Sequence, residues 1–429
     1  MKTIKQKYTL KDFGVKRYEK TLKNGLKVVF IEKPYSPIYA KIMMRAGSIY
    51  NGSDSGLAHF TEHSIVSGSK KYPKKEEFAG IIESIGGFKN AFTSRTWMSV
   101  DCEIAAPEQL KSMKEYLSEA LTHMHLDSVK LKKEKGVITS EIEKNHSDPK
   151  YHSRVYFDSI LANGTSWGIT TLGTVESVDT ITIKDVEKFF SEYCVVENMV
   201  LLIVGGCKFS DIEKTFSSIK FLHGKQAQLP ESPKYLSNNQ RVFFKQDLKQ
   251  TNVALIFNGP EVGTKDGDIL RFVLNYAHSG FTSRFYKKIR NEKGLAYSVG
   301  MFLSDFNKTR YLGTSVGVPA EKTDEVIDAI LECYKELLHE GMTQKQINEK
   351  IKTSWFSDKR NTQKSSDWIN VISPELYPEL KSFVGDYPNW FNFSQTITPK
   401  EVSIVLKKYI TLDNFHLLIN GTEPSKKYF

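Results

Sequence analysis

The order of periodic segments in the first half of this chain recurs in the second, and that recurrence constrains the fold more than any single residue. The first half opens with two apolar, strand-like runs, Leu26–Glu32 and Ile38–Ala46, separated by Lys33-Pro34-Tyr35-Ser36-Pro37. A short helix then starts near Ser53–Ser55, residues suited to an N-cap. Pro73, at an N1-like position, leads a second helix over Lys74–Ile85 that Gly86-Gly87 stops. Strands follow at about Phe88–Ser94 and Trp97–Ile104, then helical patterns over Pro107–His123, over Asp127–Lys144 and from Tyr151 onward. A helix over Ile183–Tyr193 and a strand over Met199–Val204 close the unit. Residues 221–241 carry Gly, Gln, Pro, Ser and Asn without periodicity and read as a linker. Beyond them come strands Val242–Lys245 and Asn252–Phe257, helices Asp268–His278 and Thr282–Asn291, and strands Ala296–Leu303 and Arg310–Val318. Helices Lys322–Glu340 and Thr343–Phe356, further helix, and a strand at Phe415–Ile419 complete the second pass. The expectation is a duplicated α+β unit, with residues 1–220 and 242–429 as its two copies.

Within the first copy, residues 59–63 read His-Phe-Thr-Glu-His. On a helix His59 and His63 lie at i and i+4, so both imidazoles project from one face, with Glu62 beside them. This H-x-x-E-H order is the inverted form of the zincin motif. A catalytic zinc takes three protein ligands and leaves its fourth position open. Two histidines supply two, and a carboxylate from another element would supply the third. The helical segment Leu131–Asp148 offers Glu134, Glu141 and Glu143. Glu134 and Glu141 share one face two turns apart, so one can ligate while the other supports it. The second copy has no such motif, and its matching helix carries only His278. One zinc per chain is therefore expected.

Charge and cysteines narrow the remaining classes. The formal net charge of +10 comes from a lysine-rich composition with acids interspersed throughout. No basic stripe with interleaved aromatics accompanies it, so neither nucleic acid nor a membrane is expected as a partner. Cys102, Cys194, Cys207 and Cys333 are far apart, with no C-x-x-C pair, and suit a reducing compartment. Met1–Lys20 is charged and lacks the apolar core of a secretory signal. The most apolar run, Met199–Val204, is too short to span a bilayer. A cytoplasmic protein is expected.

Four separated motifs resemble one family. The segments GLAHFTEHSIVSG (Gly56–Gly68), ESIGGFKNAFTS (Glu83–Ser94) and VITSEIEKNHSDP, which contains Glu141, are similar to those of the insulinase, pitrilysin and mitochondrial-processing-peptidase family of inverzincins. SRFYKKIRNEKGLAYSV (Ser283–Val299) resembles that family's C-terminal signature. Leu172-Gly173-Thr174 and Glu197-Asn198-Met199-Val200 match its connecting segments. The resemblance runs from about residue 20 to residue 420. Three departures stand out: Ser140 occupies a position where relatives often carry a second acid, the segment from His63 to Glu141 is slightly longer than theirs, which keeps Glu143 as an alternative ligand, and Ser166-Trp167-Gly168 replaces their usual Pro-Leu-Gly.

The resemblance implies two homologous α+β domains, each a mostly antiparallel sheet with packed helices, forming half of a clamshell. It implies His59, His63 and Glu141 as zinc ligands, Glu62 as the base and Glu134 as the acid that supports the site. It makes Asn90 and Ala91 part of an edge strand that pairs with substrate backbone, a mode that demands little of substrate sequence. Arg290 and Tyr297 match the pair that contacts substrate and stabilises the oxyanion, as a cation and a phenol can. Short members of the family pair into a closed chamber, whereas longer ones carry four domains in one chain. A homodimer, or a heterodimer with a related subunit, is therefore expected, acting as a zinc endopeptidase on short or unfolded peptides. The alternatives are a dedicated leader peptidase working with a partner subunit, and a non-catalytic scaffold subunit.

Overall fold

Eleven strands are divided between two sheets in the computed structural model, which describes residues 7–52, 55–237, 239–376, 383 and 387–429. The first sheet contains β1 (Lys16–Thr21), β2 (Lys27–Glu32), β3 (Ile38–Met44), β4 (Phe88–Thr93), β5 (Met98–Ile104) and β6 (Met199–Gly205). Its order is β1-β2-β6-β3-β5-β4. The second contains β7 (Arg241–Lys245), β8 (Thr251–Asn258), β9 (Ser298–Phe306), β10 (Thr309–Val318) and β11 (His416–Gly421), in the order β7-β11-β8-β10-β9. Apart from β1, the connectivity is the same in both. In each, one parallel pair (β2 with β6, β7 with β11) is embedded among antiparallel neighbours. Each sheet ends on a strand bonded along one edge only, β4 in the first and β9 in the second.

The helices are α1 (Leu57–Val66), α2 (Lys75–Glu83), α3 (Leu110–Thr122), α4 (Ser128–His146), α5 (Pro149–Leu161), α6 (Val175–Thr180), α7 (Ile183–Tyr193) and α8 (Phe209–Phe216) in the first half. In the second they are α9 (Lys265–His278), α10 (Arg284–Tyr286, continuing as a π-helical turn over Lys287–Glu292), α11 (Thr323–Glu340), α12 (Gln344–Asn361), α13 (Ser365–Leu376), α14 (Asn389–Ser394) and α15 (Pro399–Tyr409). Their apolar residues recur at helical spacing. α3 buries Leu110, Met113, Tyr116, Leu117, Ala120 and Leu121, one stripe facing the sheet.

Each sheet is packed on both faces, and one cover is exchanged between the halves. One face of the first sheet, with Val28, Phe30, Ala40, Ile42 and Val100, packs on the helices of its own half. Its other face, with Val29, Ile31, Met43, Leu202 and Val204, is covered by Trp368, Ile369 and Ile372 of α13. Reciprocally, Phe157 and Leu161 of α5 cover Ala254, Ile256, Phe302 and Leu418 of the second sheet. Two-sided burial explains why β3 and β6 are apolar almost throughout rather than alternating. Near the N-terminus Tyr8 packs on Trp355 and Phe391 of the second half, with ring centroids 4.3 and 5.4 Å apart.

Several local features differ from the sequence reading. β1 is an exposed edge strand with no buried residue, so it carried no apolar alternation to read. Of the anticipated N-cap at Ser53–Ser55, residues 53 and 54 lie outside the described residues, and α1 starts at Leu57 behind Gly56. The short helices α6 and α8 went unread. The described residues between 221 and β7 are irregular but docked: Trp167 Nε1 donates to Glu231 O at 2.9 Å, and Leu236 N to the Tyr311 hydroxyl at 2.8 Å. Among the described residues no helix is long and apolar enough to cross a membrane.

Candidate metal and substrate site

Helix α1 is sunk into the first half, with eight of its ten residues buried. Its start is fixed by two close approaches. Gly56 has φ 89°, and a Cβ there would lie 2.8 Å from Leu172 O. Gly173 faces it, where a Cβ would lie 2.9 Å from Gly56 Cα, so two glycines let the 172–174 segment press on the helix origin. Asn51 Oδ1 accepts from Ala58 N at 2.8 Å.

This placement buries His59 and Glu62 and leaves His63 partly accessible. The two imidazole rings are 4.7 Å apart and tilted by 71°. Helix α4, capped by Asp127 accepting from Lys130 N at 2.8 Å, passes beside them. It presents Glu141 Oε2 at 3.7 Å from His59 Nε2 and 3.6 Å from His63 Nε2. These three side chains offer ligand atoms within 4.8 Å of one another, the one such group of three or more among the described residues. One turn pair earlier on α4, Glu134 Oε2 accepts from His63 Nδ1 at 3.0 Å, and Lys75 Nζ donates to Glu134 Oε1 at 3.3 Å. Glu143, the remaining acid on this helix, is exposed.

The electrostatics favour a cation at the cluster. Burial, seconded by the charge of His63, pushes His59 down to about 4, so its imidazole is neutral at pH 7. Burial also opposes charge on His63, but hydrogen bonds to Glu134 and Glu141 outweigh it and raise the imidazole to about 9. His63 thus holds a proton where a metal ion would supply the positive charge instead. Glu141 is held below the usual range by His63, and Glu134, despite burial, by His63 and Lys75. Burial raises Glu62 to about 7, against a hydrogen bond donated by Thr93 Oγ1 to Glu62 Oε2 at 2.6 Å. A bound cation would draw that value back down. Two imidazole nitrogens and one carboxylate oxygen are the donor set of a catalytic zinc, so the residues present fit this metal.

Thr93 ends β4, so the C-terminal end of that strand lies beside Glu62. Asn90 pairs with Asp101 and Ala91 with Val100 on β5, while among the described residues no strand pairs with the opposite edge of β4. Arg290 and Tyr297 lie in the second half, at the π-helical turn and just before β9. Arg290 Nη1 donates to Tyr297 O at 2.7 Å, and its guanidinium sits 4.4 Å from the Tyr297 ring centroid. Tyr297 is 75% exposed. These two side chains meet each other rather than the histidine cluster of their own chain.

Two adjoining family profiles match the chain: one described as Insulinase (Peptidase family M16) over residues 27–175, the other as Peptidase M16 inactive domain over residues 180–354. The chain belongs to the insulinase family. Among its relatives is an uncharacterized zinc protease, YmxG, of Bacillus subtilis, 26% identical over 78% of this chain and 81% of the relative. A Helicobacter pylori protein described as a non-peptidase homolog is 24% identical over 87% of this chain and 84% of its own. A crystal structure of a Pseudomonas fluorescens peptidase M16 inactive domain matches with a TM-score of 0.85 at 17% identity, covering 96% of this chain and 99% of that one. Pitrilysin matches with a TM-score of 0.75 at 15% identity, and this chain covers 45% of its length. The insulinase-family relatives thus include both proteins called zinc proteases and one called a non-peptidase.

Sequence reasoning missed two neighbours of the cluster. Thr93, which holds Glu62, stands two residues beyond Ala91 and so on the same strand face, a period-two signal that was present. Lys75, which pairs with Glu134, had no such signal, because the start of α2 comes within reach of α4 only in the tertiary packing.

Proposed function

We propose that this chain is a zinc-dependent endopeptidase that hydrolyses short or unfolded peptides in a chamber completed by a second, related chain. The observation that carries the reading is the gathering of His59, His63 and Glu141 around one point, with buried Glu62 on the same helix and an open strand edge alongside. Residues 1–220 would form the zinc-binding domain and residues 242–429 the domain bearing Arg290 and Tyr297, joined by 221–241.

His59, His63 and Glu141 would hold the zinc, with Glu134 orienting His63. Bound there, zinc polarises the scissile carbonyl and makes hydroxide available near neutral pH. The free edge of β4 at Asn90 and Ala91 would take the substrate as an added strand and so fix the scissile bond along it. Glu62 would accept a proton from the attacking water and pass it to the leaving amine nitrogen. Its Oε2 is engaged by Thr93, which leaves Oε1 for that transfer. Arg290 and Tyr297 of the second chain would face the developing oxyanion. A homodimer satisfies this arrangement because each chain carries both parts.

Metal analysis paired with hydrolysis of quenched peptides tests the reading. Wild type should hold about one zinc per chain, as a His₂Glu site does, and cleave. Glu62→Gln should hold zinc without cleaving, and a chelator should abolish turnover. Full activity of Glu62→Gln would refute the role of the base. The non-peptidase relative favours a second reading, a non-catalytic partner subunit. An intact base beside three ligands argues against it, and a chain that binds no zinc would establish it.

A further inference from the structure

The Arg290 guanidinium is held between two rings, and only one belongs to the pair already discussed. It lies 4.4 Å from the centroid of Tyr297 and 4.9 Å from that of Tyr286. The backbone here is built to make this contact. Tyr286 and Arg290 are at i and i+4 on α10 and its continuation, so their side chains share a face. That continuation, Lys287–Glu292, is widened by one residue: Lys293 N bonds to Lys288 O at 3.1 Å, five residues back. Gly294, with φ 62°, ends it through Gly294 N to Arg290 O at 3.1 Å. The chain then turns back, so that Tyr297 passes over the guanidinium and its carbonyl accepts from Nη1. The Tyr286 ring is itself braced by Phe281, edge-on at 5.0 Å and 77°, although Phe281 is 74% exposed.

The Tyr286 hydroxyl is buried and has no hydrogen-bond partner among the described residues. What this residue offers Arg290 is therefore the face of its ring. A cation over an aromatic face is attracted by the ring quadrupole, and phenylalanine supplies nearly the same field as tyrosine. A long, flexible arginine on an exposed turn would otherwise sample many rotamers, and each productive encounter would have to order it.

The geometry points to Tyr286 as a positioning residue that holds the Arg290 guanidinium ready for the oxyanion. The inference rests on the proposed role of Arg290. Tyr286 touches neither substrate nor metal in this scheme and acts through Arg290 alone.

The test is peptide hydrolysis by the zinc-loaded protein bearing Tyr286→Leu, Tyr286→Phe, Arg290→Ala, and Tyr286→Leu combined with Arg290→Ala. Tyr286→Leu should lower kcat on the order of ten-fold with KM little changed, the size of a partly desolvated cation–π contact. Tyr286→Phe should retain activity within about two-fold. In the Arg290→Ala background, Tyr286→Leu should have no further effect, because its role is exerted through the missing guanidinium. Should Tyr286→Leu melt early, Tyr286→Met replaces it. Loss in Arg290→Ala with no loss in Tyr286→Leu, or equal losses in both backgrounds, would overturn the inference. Full activity in Arg290→Ala would instead overturn the role assigned to Arg290.

Discussion

Glu134 accepts a hydrogen bond from His63 Nδ1 at 3.0 Å, across 71 residues of sequence. Because Nδ1 carries that proton, Nε2 is the nitrogen turned toward His59 and Glu141. A carboxylate on the far side of a ligating imidazole fixes its tautomer and raises its basicity. Lys75 pairs with the other Glu134 oxygen, and His63 together with Lys75 keeps that carboxylate ionised.

Removing Glu134 should therefore weaken the metal site without dismantling it. Glu134→Ala is expected to lower zinc affinity about 10- to 100-fold. Competition with a chromogenic chelator measures this directly. Unchanged affinity would show that His63 is oriented by packing alone.

The shared-chamber reading predicts complementation. Glu62→Gln and Arg290→Ala each damage one of the two parts, and in a mixed dimer one of the two sites is intact. Mixing inactive variants should recover up to about a quarter of wild-type turnover, since half the dimers mix at random and each restores one site of two. Subunit exchange is followed by differently labelled chains. Verified exchange without recovery would exclude sharing of the site.

Acid stability should report two buried histidines outside the cluster. Burial depresses His278 to about 4, and burial with Arg241 does the same to His416. His278 bonds to Leu274 O and the Thr314 hydroxyl, both at 2.8 Å, and stacks on Phe285. Between pH 4 and the ordinary value of 6.5 each of these two imidazoles binds more protons in the unfolded chain than in the folded one. Stability thus rises with pH across that window and is lost as pH falls through it. These two imidazoles should contribute a fall in the denaturant midpoint below 6.5. His278→Gln should flatten the decline relative to wild type.

The exchanged covers should matter to both halves. Trp368 is fully buried between α13 and the first sheet, with Phe13 and Tyr387 edge-on at 5.3 and 5.9 Å. Trp368→Ala should cost about 3–5 kcal/mol, as large core truncations do. Chemical denaturation followed by near-ultraviolet dichroism would measure the loss. A shift within about 0.5 kcal/mol, the range of an ordinary surface substitution, would mean that α13 is not needed on that face.

Local spacing was enough to place His59, Glu62 and His63 on one face, because helical periodicity acts over four residues and needs no tertiary partner. The duplicated order of elements was legible for a similar reason, since strand and helix periods are written into each segment. Spacing alone put Glu134 and Glu141 on one face and left open which of them, or Glu143, would ligate. The packing of α4 across α1 separates them: Glu141 meets both histidine Nε2 atoms, Glu134 meets His63 from behind, and Glu143 faces solvent. Nor could periodicity disclose that α5 and α13 cross to the opposite sheets, because an apolar stripe says that a face is buried but not against what. The π-helical turn that sets Arg290 between Tyr286 and Tyr297 depends on one extra residue per turn, and no residue pattern in the segment announces it. Segment periods set which side chains share a face; long-range packing decided which faces meet.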